Sequence, residues 1–136
     1  MRKGALNFIK AITIRFIPHK EQRYPTVGDW FYRYTTLHLR VSMMDKEEYQ
    51  LLVAVHEMVE AFLCRRAGVK EEDVTKFDIQ FEDERERGLH GPTDEPGDDP
   101  AAPYYTQHQI ATHVERFLCK ALSIDWEEYD AAVNSL

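Results

Sequence analysis

A histidine and two glutamates interrupt an otherwise apolar run at residues 51–64, Leu51-Leu52-Val53-Ala54-Val55-His56-Glu57-Met58-Val59-Glu60-Ala61-Phe62-Leu63-Cys64. A helix that is apolar nearly all round is normally buried, and ionisable side chains are rarely buried without a partner or a metal. With 3.6 residues per turn, His56 and Glu60 lie one above the other and Glu57 sits beside them. That is the spacing of H-E-x-x-H helices, where two ligands four residues apart hold Zn²⁺ and the intervening Glu is the general base. Here the second ligand position carries a carboxylate. The competing readings are a core histidine satisfied by Glu60, a Glu57 on the helix surface, and a Glu60 that orients His56 from behind the ligand shell.

A second group of the same kind stands downstream. His108, Ala111 and Glu115 are three, four and seven residues apart and share one helix face, with the small Ala111 allowing another helix to approach closely. Val59-Glu60-Ala61-Phe62-Leu63-Cys64 and Val114-Glu115-Arg116-Phe117-Leu118-Cys119 match at every position but one. The match predicts that Glu60 and Glu115 occupy equivalent inward edges of two packed helices. His108 is therefore the better third ligand and Glu115 the next. His113 falls on the side of Arg116 and Lys120 and reads as surface, His38 alternates away from an apolar strand face, and His19 and His90 lie in polar connections.

The elements that must position these groups follow from periodicity. Residues 11–17 alternate, with Ile12, Ile14 and Phe16 on one side. Residues 30–34 are aromatic-rich, and Leu37, Leu39 and Val41 alternate again, so three short strands are expected, the last two as an antiparallel hairpin. Asp45 as an N-cap, Glu48 three residues later, and Gly68 after Arg65 and Arg66 bound a helix of about five turns. Residues 71–74 begin a short helical turn, and Phe77-Asp78-Ile79-Gln80-Phe81-Glu82 alternates as a strand or an extended run would. Thr106–Gln109 is a capping-box pattern opening an amphipathic helix to about Leu122, and Asp125 opens a final helix ending near Asn134. The predicted class is α+β: a small antiparallel sheet of about three strands, then two long packed helices and a short C-terminal one.

Between them, residues 83–103 are rich in Asp, Glu, Arg, Gly and Pro. A stretch like this is either solvated or a lid, and Asp94, Glu95, Asp98 and Asp99 become hard-cation ligands if it folds over a site.

At 136 residues the chain is expected to be one domain, residues 1–136, and 43% hydrophobic residues suffice for a core. A net charge of −7 argues against a surface that tracks phosphates, so nucleic acid and anionic membranes are not expected partners. With no long apolar segment and no signal-peptide core, the expected location is the cytoplasm. Cys64 and Cys119 read as free buried thiols. No phosphate-binding glycine loop, nucleophile elbow or Cys-His signature appears.

Gly28-Asp29-Trp30, Val55-His56-Glu57-Met58-Val59-Glu60-Ala61, Glu95-Pro96-Gly97-Asp98 and Ala102-Pro103-Tyr104 with His108 together resemble a family of small phage and prophage proteins, over residues 11 to 130. More distantly, strands followed by a His-Glu helix resemble a minimal zincin metallopeptidase. That resemblance implies His56 and Glu60 as helix ligands and Glu57 as base, although zincins carry His at the position of Glu60. The expectation is a divalent metal, zinc first with Mn²⁺ or Fe²⁺ as alternatives, and metal-dependent hydrolysis. The alternatives are a non-enzymatic phage accessory protein, bound to a host or virion protein and stabilised by a structural polar cluster, and, less well supported, a Mg²⁺-dependent nucleotide pyrophosphatase.

Overall fold

The alternating residues at the start of the chain form strand β1 (Ala11–Ile17), and the hairpin follows as β2 (Gly28–Arg33) and β3 (Thr36–Ser42). The structure, a computed structural model, describes residues 8–136. β2 and β3 pair antiparallel, as the pattern predicts, with Trp30 opposite Leu39. β1 does not extend that antiparallel order. It pairs parallel to β3, with Ile14 beside Leu39, so the sheet is mixed and its order is β1-β3-β2. The connection after β1, with a 3-10 turn at His19–Glu21, carries the chain past one strand position; β2 runs back, and β3 returns into the gap in the direction of β1.

Helix α1 (Glu47–Ala67) carries the opening motif. Its predicted stop is present: Gly68 adopts φ 76°, and Val69 N–H bonds Cys64 O at 2.9 Å. The predicted Asp45 cap is not. Lys46 is the N-cap, without a side-chain bond, and the first turn instead places Glu47 and Glu48 at the positive end of the helix dipole.

A third long helix, α2 (Glu71–Glu86), replaces the short turn and extended run expected there. Phe77, Ile79 and Phe81 alternate like a strand, but Ile79 is half exposed while Val74, Asp78 and Phe81 are buried. Their spacing of four and three is helical, and the packed face decides the element. Residues 83–86 are its last turn. The rest of the acidic stretch is not structureless: a 3-10 turn at Pro96–Asp98 packs against α2 and the next helix, burying Gly97 and Ala102. Helix α3 (Tyr105–Ala121) begins two residues before the predicted cap at Thr106 would allow, with Tyr104 as N-cap. In α4 (Trp126–Asn134) the Asp125 carboxylate accepts from Glu128 N–H at 3.0 Å, as the pattern predicts.

The α+β class holds, with strands first and helices after. α1 packs against β2 and β3 on one side and α3 on another. One apolar cluster joins Trp30, Leu37 and Leu39 to Ala61 and Cys64; a second joins Val41, Leu52 and Val53 to Cys119 and Tyr129. Each large side chain buried this way contributes about 1.5–3 kcal/mol. His56, Glu57 and Glu60 lie between these clusters along α1, so the polar site is enclosed by the two parts of the core. Both cysteines are free and buried, as expected. Among the described residues no helix is long and apolar enough to cross a membrane.

Candidate metal centre

α1 and α3 run antiparallel, which brings the two groups predicted from sequence face to face. His56 Nε2, Glu60 Oε2 and His108 Nδ1 converge, at 3.1 Å (His56 to Glu60), 3.2 Å (His56 to His108) and 2.9 Å (His108 to Glu60). All three residues are buried.

Each of these residues is held by a second bond on its far side. His56 Nδ1 lies 2.8 Å from Glu115 Oε1, and His108 Nε2 lies 3.1 Å from Glu95 Oε2 and 3.5 Å from Asp98 Oδ1. Trp30 Nε1–H donates to the other oxygen of Glu60 at 3.0 Å. Glu115 and Glu95 accept on the outward sides of the two rings and Glu60 on their inward sides, so the inward nitrogens donate to Glu60 when the rings are charged and offer lone pairs when they lose those protons. With the inward protons removed, three acceptors would face one another across about 3 Å. Protonating both rings inward would set two donors head to head at 3.2 Å, with ring centroids 4.7 Å apart. Protons donated to Glu60 relieve this crowding, and a cation in their place would link the same three atoms.

The triangle suits a first-row cation. Ligand atoms at 2.0–2.1 Å in a tetrahedral site are separated by roughly 3.3 Å, and histidines whose other N–H meets a carboxylate are the usual surroundings of such an ion. These residues, with His108 as the third, could hold a metal ion.

Glu115 does not join them. Expected as a further ligand, it lies outside the triangle, behind His56, and its second oxygen accepts from Tyr129 O–H. The predicted equivalence with Glu60 survives, because both glutamates are buried and hold opposite nitrogens of one imidazole. Of the loop acids, Glu95 and Asp98 reach His108. Asp94 accepts from Gly91 N–H and Asp99 from Ala101 N–H, so those two shape the loop itself. His113 is exposed, as expected, and His38 is bonded to Thr13 and stacked on Phe31.

The electrostatics reflect this crowding. Burial would depress both imidazoles, but hydrogen bonds to Glu115 and Glu60 hold His56 at about 10, and those to Asp98, Glu60 and Glu95 hold His108 at about 12. Burial works to raise Glu60, yet the bonds to His108 and His56 bring it to about 2. The same environment that holds a proton here would hold a cation.

Glu57 faces a cavity of about 520 Å³, together with Gly28, Trp30, Asp78 and Tyr104. Desolvation, and then the neighbouring Glu60, push its carboxyl well above the usual carboxylate range. Gly28 is required beside it: a Cβ at that position would lie 2.5 Å from Glu57 Oε1. Gly97 has the same role for the other wall, since a Cβ there would fall 2.3 Å from His108 Cγ.

Several site residues escape the sequence reading. Asp78, from the unpredicted helix, is buried and accepts from Tyr24 O–H at 2.9 Å and from Tyr104 O–H. Desolvation raises its carboxyl to about 7. Asp29, also buried, is bound in a fork by Arg23 at 2.7 and 2.9 Å. Trp30 and Tyr129 are buried aromatics, and the polar tip each must satisfy when buried is the signal that could have found them. No protein-family model, curated protein or solved structure matches this chain.

Proposed function

We propose that this protein binds a divalent transition cation through His56 Nε2, Glu60 Oε2 and His108 Nδ1 and uses it for metal-dependent hydrolysis. The supporting observation is the convergence of two buried imidazole nitrogens and one buried carboxylate oxygen whose far sides are already bonded, so that a cation displacing the inward protons would meet three oriented ligand atoms. Two imidazoles and one carboxylate suit zinc first, and Mn²⁺ or Fe²⁺ next. Three protein ligands would leave a coordination position for water. A cation held there would lower the pKa of a bound water, and Glu57, which faces the same cavity, would be the base that accepts its proton. The zincin-like assignment of His56, Glu60 and Glu57 is part of this reading, with His108 as the ligand supplied by a second helix.

The test is calorimetric titration of chelator-treated protein with Zn²⁺ and with Mn²⁺, alongside elemental analysis of protein as purified. One cation per chain is expected, lost in His108→Ala. Hydrolysis of a nitrophenyl ester, a general probe for metal-bound hydroxide, is expected to fall in Glu57→Gln while the metal is retained. If the protein carries no metal and binds none added, the His–Glu group is a buried hydrogen-bonded cluster and the proposal fails.

A further inference from the structure

The cavity beside the candidate metal centre is charged in one sense. Eleven acidic side chains line it, against two arginines and no lysine among the described residues. Of the two arginines, Arg85 is already bonded to Glu82 at 2.9 Å and to the carbonyls of Gly91 and Asp94. Arg116 is exposed and lies over Trp126, 4.3 Å from its ring centroid. The walls therefore offer little to an anionic ligand and repel it. Filling the metal centre does not reverse the sign. A dication brings two positive charges to a place where Glu60, Glu95, Asp98 and Glu115 already supply four carboxylates around the two imidazoles.

Asp78 differs from these paired acids. It stands on α2, is 7% exposed and lines the same cavity. Tyr24 O–H donates to one of its oxygens at 2.9 Å and Tyr104 O–H to the other, and among the described residues it forms no ion pair. Buried carboxylates are seldom left without a cation. Each oxygen has accepted one hydrogen bond and can accept another. Desolvation holds the carboxyl at about 7, as expected of a buried carboxylate that lacks a counter-ion. The Tyr104 ring lies 6.0 Å from the His108 ring, so a single tyrosine separates Asp78 from the candidate metal centre.

We infer that the cavity takes a ligand carrying an ammonium or guanidinium group, which pairs with Asp78 beside the hydroxyls of Tyr24 and Tyr104, and that the substrate of the proposed hydrolase belongs to this cationic class. Calling the ligand a substrate rests on the hydrolase reading; its recognition by Asp78 does not. A cleft walled by one sign of charge concentrates ligands of the other sign. A volume of about 520 Å³ accommodates a small molecule. The ammonium supplies the counter-ion that Asp78 lacks, and the reacting end of the same molecule is left near Glu57 and the metal centre.

Nitrophenyl esters of aminohexanoate, heptanoate and pimelate share one methylene chain and end in ammonium, methyl and carboxylate. With Zn²⁺ supplied, and above about pH 7 so that Asp78 is charged, kcat/KM corrected for the uncatalysed rate is expected to be about 10–100-fold higher for the ammonium ester than for the methyl ester, and lowest for the carboxylate. Asp78→Asn keeps the shape of the side chain and is expected to cost the ammonium ester about tenfold more than the methyl ester. A second readout needs no turnover: hexylammonium is expected to shift the amide NMR signals of Gly28 and Tyr104 at concentrations where hexanoate does not. Equal rates for the three esters, a preference for the carboxylate, equal losses in Asp78→Asn, or hexanoate binding as well as hexylammonium would each overturn the inference. Metal-dependent hydrolysis with no charge preference defeats this inference alone. Binding of hexylammonium by a protein that hydrolyses none of the esters defeats the hydrolase reading and leaves the recognition of a cation standing.

Discussion

Replacing Glu115 by Gln separates a ligand from a residue that orients one. The amide keeps the shape of the side chain and an oxygen that can accept from His56 Nδ1–H, now 2.8 Å away, but removes the charge. If Glu115 acts only through His56, the ring stays in place and donates a weaker lone pair to the cation. Loss of such an outer partner weakens metal binding by about 10–100-fold, which is about 1.4–2.7 kcal/mol. Glu60→Gln and His108→Ala, which remove atoms of the converging triangle, are expected to cost more than Glu115→Gln under the same conditions. The measurement is competition for Zn²⁺ against a chelator of known affinity, with circular dichroism confirming that each variant folds. A Glu115→Gln loss equal to that of Glu60→Gln would mean that the carboxylate binds the ion directly. No loss at all would mean that the bond to His56 does not orient the ring, and either result refutes the arrangement described.

Further outcomes follow from the same geometry. Zn²⁺ binding near pH 7 is expected to release about one to two protons, because His56 and His108 hold theirs to about 10 and about 12; calorimetry in buffers of different ionisation enthalpy reads the number, and zero release contradicts it. Asp78 has a folded pKa of about 7 against the ordinary aspartate value of 3.8, so the folded state binds its proton more tightly. Its contribution is full below about pH 4 and is lost as pH rises to about 7. Urea titrations are expected to show that decline, and Asp78→Asn to flatten it. Gly97→Ala drives a Cβ into the His108 ring, and the required shift of the loop is expected to destabilise the fold by about 1–3 kcal/mol and to weaken Zn²⁺ binding. An unchanged unfolding midpoint and affinity would show that the loop yields freely. Cys64, buried and raised to about 12, is expected to react with a thiol reagent only upon unfolding, and rapid labelling of the native protein would contradict that.

How much of this was legible in the sequence depends on the range of the interaction that decides each feature. The Gly68 stop, the Asp125 cap, the β2–β3 hairpin and the amphipathic α3 are set by bonds and turns within a few residues, and all were readable. α2 was not, because a short segment with both alternate and fourth-residue apolar positions fits two periods, and the partners buried against Val74 and Phe81 chose the helical one. The parallel pairing of β1 likewise depends on where β3 returns, which no local pattern encodes.

For the candidate site, the sequence by itself determined that His56 and Glu60 share one helix face, that His108 and Glu115 share another, and that both faces are apolar enough to be buried. Only the tertiary structure decided that His108 turns Nδ1 toward His56 while Glu115 takes the opposite side of the same ring. Helical spacing gives the direction of a side chain from its own axis but not the offset between two antiparallel helices. That offset is set by side chains packed far apart in sequence, such as Leu52, Val53 and Cys119 in one core cluster. At separations of about 3 Å, it decides which group touches an ion and which stands behind it.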